Sequence, residues 1–361
     1  MELACKPDWA QARKRMEAWW EGELLDRVCI RITAPIKQDS RPQPPPVPPE
    51  ELESWWMDPA LVIPRLEADL ARIWWGGEAF PVMHPVSTRI PAIPAVYLGC
   101  PLSFVGTSTA WCSEIIHDWA HPPELRFDET NKWYRKSVEL FRAAGERAHG
   151  KYCLGGPDLN GPGEILARLR GSQNLALDLV DNPATVREAM GNINLVWMEY
   201  WHAINNVINE YVQGCVGWMG LWSDLPAVEL ECDFSIMISN DMFRDFFLPH
   251  IRRQTEWVAR SVYHLDGPGA VRHLDSLLEL PRLTAIQWVP GAGAAPMTEW
   301  IPLLKRIQDA GKRIFIDCRD HEVEPLLTQL RPEGLLLSTR SVSVERGKEI
   351  LKLAEKMTSR R

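Results

Sequence analysis

The sequence predicts an α/β fold: a single (β/α)8 barrel of the TIM type, fronted by an N-terminal cap of helix and extended chain. Three observations lead there. Beyond residue 79, short apolar runs alternate with helical stretches, the pattern of parallel strands joined by crossover helices. A chain of 361 residues suits one such barrel without forcing a second domain. The composition, 45% hydrophobic and 24% charged, is that of an ordinary globular protein with a large core.

Taken in order, Trp9 to Glu23 reads as an amphipathic opening helix and Arg27 to Thr33 as a short strand. The run Arg41-Pro-Gln-Pro-Pro-Pro-Val-Pro-Pro49 forms neither helix nor ladder and is expected to wrap the surface as an extended segment. Residues 59–75 return to helix, so residues 1–78 are expected to form the cap and 79–361 the barrel. Strands are expected at Ala79–Pro85, Leu102–Thr107, Tyr152–Gly156, Cys215–Leu221, Ser261–Asp266, Ala285–Val289, Ile314–Cys318 and Leu335–Ser338. Helices intervene, for example Thr185–Tyr211, Glu299–Ala310 and Val344–Lys356.

The net charge of −8, with basic residues spread along the chain, argues against a nucleic-acid partner. Eight cysteines are scattered without a CxxC pair, several of them in apolar runs, so a disulfide framework is not expected. No apolar run reaches membrane-spanning length, and the start Met-Glu-Leu-Ala-Cys-Lys-Pro lacks the pattern of a secretory leader. A cytoplasmic protein is expected, with small molecules and proteins as partners.

The densest chemical signal is Ser261-Val-Tyr-His-Leu-Asp-Gly-Pro-Gly269. Side chains two apart on a strand share a face, so His264 and Asp266 converge at one strand end, and the Gly-Pro-Gly turn lets backbone approach a ligand. The same pattern also serves a hydrogen-bonded core histidine and a turn-capping aspartate. In barrels the chemistry sits at the carboxyl ends of the strands. That rule nominates Asp158 and Asn160, Trp222 and Asp224, Gln287 and Trp288, and Asp317 and Cys318 beside His264 and Asp266. Seventeen tryptophans against six tyrosines is an unusual bias, and Trp111, Trp218, Trp222 and Trp288 are expected as pocket walls.

The segments Pro157-Asp-Leu-Asn-Gly-Pro-Gly-Glu-Ile-Leu-Ala-Arg-Leu-Arg-Gly-Ser-Gln-Asn-Leu175 and Phe234-Ser-Ile-Met-Ile-Ser-Asn-Asp-Met-Phe-Arg-Asp-Phe-Phe-Leu-Pro249 resemble the uroporphyrinogen decarboxylase superfamily. The resemblance runs from about residue 60 to the C-terminus and implies a single barrel, often paired as a homodimer. The Arg-rich N-terminal motif of true decarboxylases is absent from residues 1–60, so the resemblance favours the corrinoid-dependent methyltransferase branch. Those enzymes are similar in placing His-x-Cys at this strand end, with a distant Cys, to hold a thiol-activating zinc. Here His264 matches the His, but Asp266 stands at the first Cys position and Leu337-Ser-Thr-Arg-Ser341 carries no thiol. A zinc, if held, would use His264, Asp266 and a third ligand, Cys318 or Asp317.

The resemblance therefore implies a demethylase component that moves a methyl group from a small methoxylated or methylamine donor to a corrinoid. His264, Asp266 and Asp158 are its candidate acid groups and Trp111, Asn160, Trp218, Trp222, Asp224, Gln287 and Trp288 its candidate substrate contacts. The chain has no Asp-x-His-x-x-Gly cobalamin signature, so the corrinoid would arrive on a carrier protein. A decarboxylase or lyase acting on a small acid, and a non-catalytic ligand-binding barrel, are the alternatives. Three further patterns read as structure: Gly291-Ala-Gly293 as a plain turn, His117, Asp118 and His121 as a polar capping loop, and Glu229, Glu231 and Asp233 as a solvated strand face.

Overall fold

The computed structural model describes residues 2–37, 46–90 and 92–359, and most of the Pro-rich run 41–49 lies outside the described residues. Helix α1 (Trp9–Glu21) stops where Gly22 turns left-handed at φ 73°. The strands that follow are β1 (Cys29–Pro35), β2 (Ile73–Gly77), β3 (Val82–Met83), β4 (Leu102–Phe104), β5 (Ala110–Cys112), β6 (Cys153–Leu154) and β7 (Cys215–Val216). After them come β8 (Trp222–Ser223), β9 (Ala227–Glu231), β10 (Arg260–Asp266), β11 (Ala285–Val289), β12 (Arg313–Asp317) and β13 (Leu335–Arg340).

Seven of these form one sheet in the order β2-β1-β13-β12-β11-β10-β9, parallel throughout except for the β1–β2 edge. Helices such as Ile301–Asp309 and Val323–Gln329 carry the chain back between parallel neighbours, as parallel pairing demands. Because β1 and β2 belong to this sheet, the first 78 residues contribute strands to it as well as covering it.

Strand parity sorts the side chains into two cores. Ile30, Val228, Leu265, Ile286, Ile316 and Leu337 pack against the helices. The alternate positions Cys29, Val262, Ala285, Phe315 and Leu336 meet α1 through Trp9, Met16, Trp19 and Trp20 on the inner face. Two tryptophans lock α1 there: Trp19 Nε1 donates to the Ile314 carbonyl at 3.2 Å and Trp20 Nε1 to the Trp222 carbonyl at 3.0 Å. Replacing either buried ring with alanine costs about 3–5 kcal/mol.

The mixed, mostly parallel α/β architecture agrees with expectation, but among the described residues the ladder does not run as one ring of eight strands. Parallel β3–β6 and antiparallel β4–β5 and β7–β8 are separate pairs. Among the described residues a single backbone bond, Gly156 N to the Val216 carbonyl at 2.7 Å, ties the β6 end to β7. The interruption is local: Pro157 has no N–H to donate, and Gly214 and Gly220 take φ of 86° and 65°, outside any strand conformation. The Leu102–Thr107 run, expected as a barrel strand, pairs instead with β5 as a hairpin.

Candidate active site

The site assembles from three strand ends. β10 pairs with β11 so that His264 lies opposite Gln287, and with β9 so that His264 lies opposite Glu231. The Gln287 Oε1 accepts from His264 Nδ1 at 2.6 Å, which fixes the ring and leaves Nε2 as its second nitrogen. The Trp218 ring meets the imidazole edge-on, centroids 5.3 Å apart at 75°. Donor atoms of Asp233, His264 and Asp266 come within 4.8 Å of one another.

Acids crowd around this histidine. Asp158 accepts from the Asn160 backbone N at 2.9 Å, which supports a left-handed turn at Asn160, φ 50°. Asn160 in turn donates through its side-chain amide to Glu231 Oε1. Glu164 accepts from the Phe234 N–H at 2.7 Å and Glu229 from the Met219 N–H at 2.9 Å. Gly217 leaves room for the Glu229 carboxyl: a Cβ there would sit 2.3 Å from Glu229 Oε2 and push that carboxyl aside.

Burial, with mutual repulsion added, drives these carboxyls toward their neutral forms. Burial pushes Asp158 up to about 6, with a partial offset from the Asn160 N–H. It pushes Glu164 and Glu229 up to about 8. Glu231 moves well above the carboxylate range, and Asp233 also rises, both chiefly by burial. The opposite occurs at His84, which burial pushes down to about 4, so that its ring is neutral beside the Gly156 carbonyl. A cleft of about 250 Å3, lined in part by Asn160, Glu164, Arg168, Glu231, Asp233 and Ile236, borders the cluster.

Of the residues expected at the site, His264, Asp266, Asp158, Asn160, Gln287 and Trp218 come together. Gln287 contacts His264 and acts as its orienting partner.

Four expectations are corrected. Trp222 is 4% exposed and packs against Trp9 beside α1, with Nε1 donating to the Gln213 carbonyl. Asp224 pairs at 2.5 Å with Arg260, the first residue of β10, at the opposite end of that strand from Asp266. Trp288 is fully buried in the helix-side core against Trp300, because its neighbour Gln287 takes the inner face and strand parity sends Trp288 outward. Cys318 follows the same parity after Asp317: it packs on the helix-side core, burial pushes its thiol up, and it does not join the Asp233, His264 and Asp266 group. Trp111 lies on the β4–β5 hairpin, 58% exposed, with Arg168 5.8 Å over its ring.

The largest omission is Glu229 and Glu231, expected together with Asp233 as a solvated face. Their alternation is that of a strand, but Val228 and Leu230 fill the helix side, so Glu229 and Glu231 occupy the inner face beside β10, whereas Asp233 lies past the strand end in the turn Asp233–Met237 and opens to solvent. Three acids of one parity next to a strand ending in His-x-Asp was the available signal. The loop at 117–121 behaves as expected: exposed Asp118 accepts from the Ala120 and His121 N–H groups and caps the turn.

Neither the protein-family comparison nor the comparison with curated proteins finds a match to this chain. Among solved structures the chain is similar to a methyltransferase from Methanosarcina mazei, with a TM-score of 0.56 and 13% identity over 96% of this chain and 98% of that one. At that identity the likeness is one of fold.

Proposed function

We propose that the chain is a methyltransferase, moving a methyl group from a small methoxylated or methylamine donor to a corrinoid on a separate carrier protein. Glu229 carries this reading. Its carboxyl is pushed up to about 8, so at neutral pH it stands protonated beside Trp218 and Asp158. Removing a methyl group from an ether or amine leaves an oxygen or nitrogen that needs a proton, and a positioned neutral carboxyl supplies it. His264, oriented by Gln287, is a second proton-carrying group, and Trp218 supplies an apolar wall for the methyl-bearing end. The fold shared with a methyltransferase supports the same class of reaction.

Asp233, His264 and Asp266 are the residues that would hold a divalent metal ion. They fit one: Asp266 Oδ1 is buried without a hydrogen-bond partner, and the Gln287 contact on Nδ1 orients the imidazole as partners of ligating histidines do. One imidazole and two carboxylates suit a harder ion than a thiolate-bound zinc, and such an ion supplies Lewis acidity at the donor's oxygen or nitrogen.

The test is anaerobic incubation of the protein with cob(I)alamin and a panel of methyl ethers and methylamines, followed by absorbance. Conversion to methylcobalamin that is lost in Glu229→Gln supports the proposal. Carbon dioxide release from small acids points to a lyase instead, and tight ligand binding without turnover to a binding barrel.

A further inference from the structure

No disulfide joins the eight cysteines, and two of them lie side by side at the β4–β5 hairpin. Cys100 and Cys112, 1% and 8% exposed, lie close enough for each thiol to shift the titration of the other. The hairpin brings them together: Leu102 pairs with Cys112, and the Ser113 N–H donates to the Pro101 carbonyl at 3.1 Å, so Cys100 runs alongside the end of β5. Cys100 Sγ also lies 3.9 Å from the Arg168 carbonyl oxygen. Arg168 belongs to helix Pro162–Arg170, reaches over Trp111, and lines the cleft that holds Glu164, Glu231 and Asp233. The thiol pair therefore sits behind the wall of the candidate active site.

We propose that Cys100 and Cys112 are a redox modification site, closing to a disulfide that staples the β4–β5 hairpin beside the cleft.

The chemistry favours this pair over every other cysteine. Within the pair, Cys112 is held below its usual range by the neighbouring Cys100 thiol and, against the opposing effect of burial, by the Arg168 charge, while Cys100 is pushed up. Burial pushes Cys29, Cys153, Cys215, Cys232 and Cys318 the other way, and partial burial does the same to Cys5. The thiolate is the nucleophile, so Cys112 attacks first. With a disulfide oxidant such as oxidised glutathione, the Cys112 thiolate attacks one sulfur and expels a glutathione thiolate, leaving a mixed disulfide. Cys100 then loses its proton and attacks Cys112 Sγ, expelling the second glutathione. Two thiols are oxidised and one disulfide is reduced, which balances the exchange. The inference is independent of the reaction the cleft performs.

The folded, reduced, full-length protein is incubated with oxidised glutathione, quenched with acid and an alkylating agent, digested, and mapped by mass spectrometry. A linked peptide joining Cys100 and Cys112, two hydrogens lighter than the reduced pair, is expected. Cys100→Ser should trap glutathione on Cys112, and Cys112→Ser should yield neither product, with each variant checked for native circular dichroism. Hydrogen exchange is the second measurement: oxidised wild type should exchange more slowly over residues 100–114 and 162–170. Glutathione on Cys5 with no Cys100–Cys112 link, or a link that forms only in denaturant, overturns the proposal.

Discussion

Replacing Glu229 by Gln should make the protein more stable, increasingly so as pH rises. The amide keeps the shape and an oxygen to accept the Met219 N–H, but it carries no charge to desolvate. A carboxyl whose titration moves from 4.5 to about 8 opposes folding whenever it ionises, by at most about 5 kcal/mol. Partial contact with solvent lowers that to about 2–5 kcal/mol. The sign follows from the raised value. Below pH 4.5 the group is protonated folded and unfolded, and the substitution changes nothing. Between pH 4.5 and about 8 the unfolded chain ionises while the folded one resists, so the wild type loses stability that the Gln variant keeps. Above about 8 the difference is constant. At an unfolding entropy of about 2.1 cal/mol/K per residue, each kcal/mol moves the thermal midpoint by about 1.3 °C, so the variant should melt about 3–6 °C higher at pH 9 and together with wild type at pH 4. Scanning calorimetry of both proteins across this range is the assay. A midpoint difference that stays flat with pH, or a less stable variant at pH 9, would show that Glu229 is solvated and would remove the basis for its role as an acid. In the methyl-transfer assay the same substitution should lower the rate by about 10^2–10^4, the ordinary contribution of a general acid.

Elemental analysis after loading with manganese or zinc should find a metal ion that is lost in Asp233→Asn and in His264→Ala and kept in Cys318→Ser; loss in the cysteine variant would return the thiol to the ligand set. Gln287→Leu strands the His264 Nδ1 donor and should weaken that binding by about 10–100-fold, measured by titration calorimetry. Gly217→Ala places a methyl where the Glu229 carboxyl lies, so the pH-dependent stability difference described for Glu229→Gln should shrink in this background. Glu78→Gln should be the most destabilising of these changes, by about 3–5 kcal/mol in thermal unfolding, because it breaks a fully buried bidentate pair with Arg27.

Much of the scaffold was legible because it rests on local pattern. Apolar runs bounded by Gly and Pro marked β10, β11, β12 and β13 to within a residue or two, and the spacing of His264 and Asp266 put both on one face. The same parity separates Gln287 from Trp288, so only one of that pair can reach a site. Nominating both followed from ranking residues by nearness to a strand end and neglecting the face they occupy. For the two-residue strands β3, β6 and β7, local pattern overstated the length, because Gly and Pro at their ends stop the ladder where the apolar run continues.

The sequence by itself determined the alternating α/β scaffold and the inner face shared by His264 and Asp266, since each depends on residue type and spacing along one element. Tertiary structure alone decided which acids meet. Asp158 and Glu164 lie far in the chain from Glu231 and from His264, and the raised pKa values of the three acids arise from shared burial and repulsion that no single segment contains. It likewise decided that Asp233, and not Cys318, stands beside His264 and Asp266, and that the hairpin brings Cys100 alongside Cys112. Periodicity assigns a side chain to a face, whereas the neighbours across that face are set by strand order and register, which depend on how the whole sheet packs.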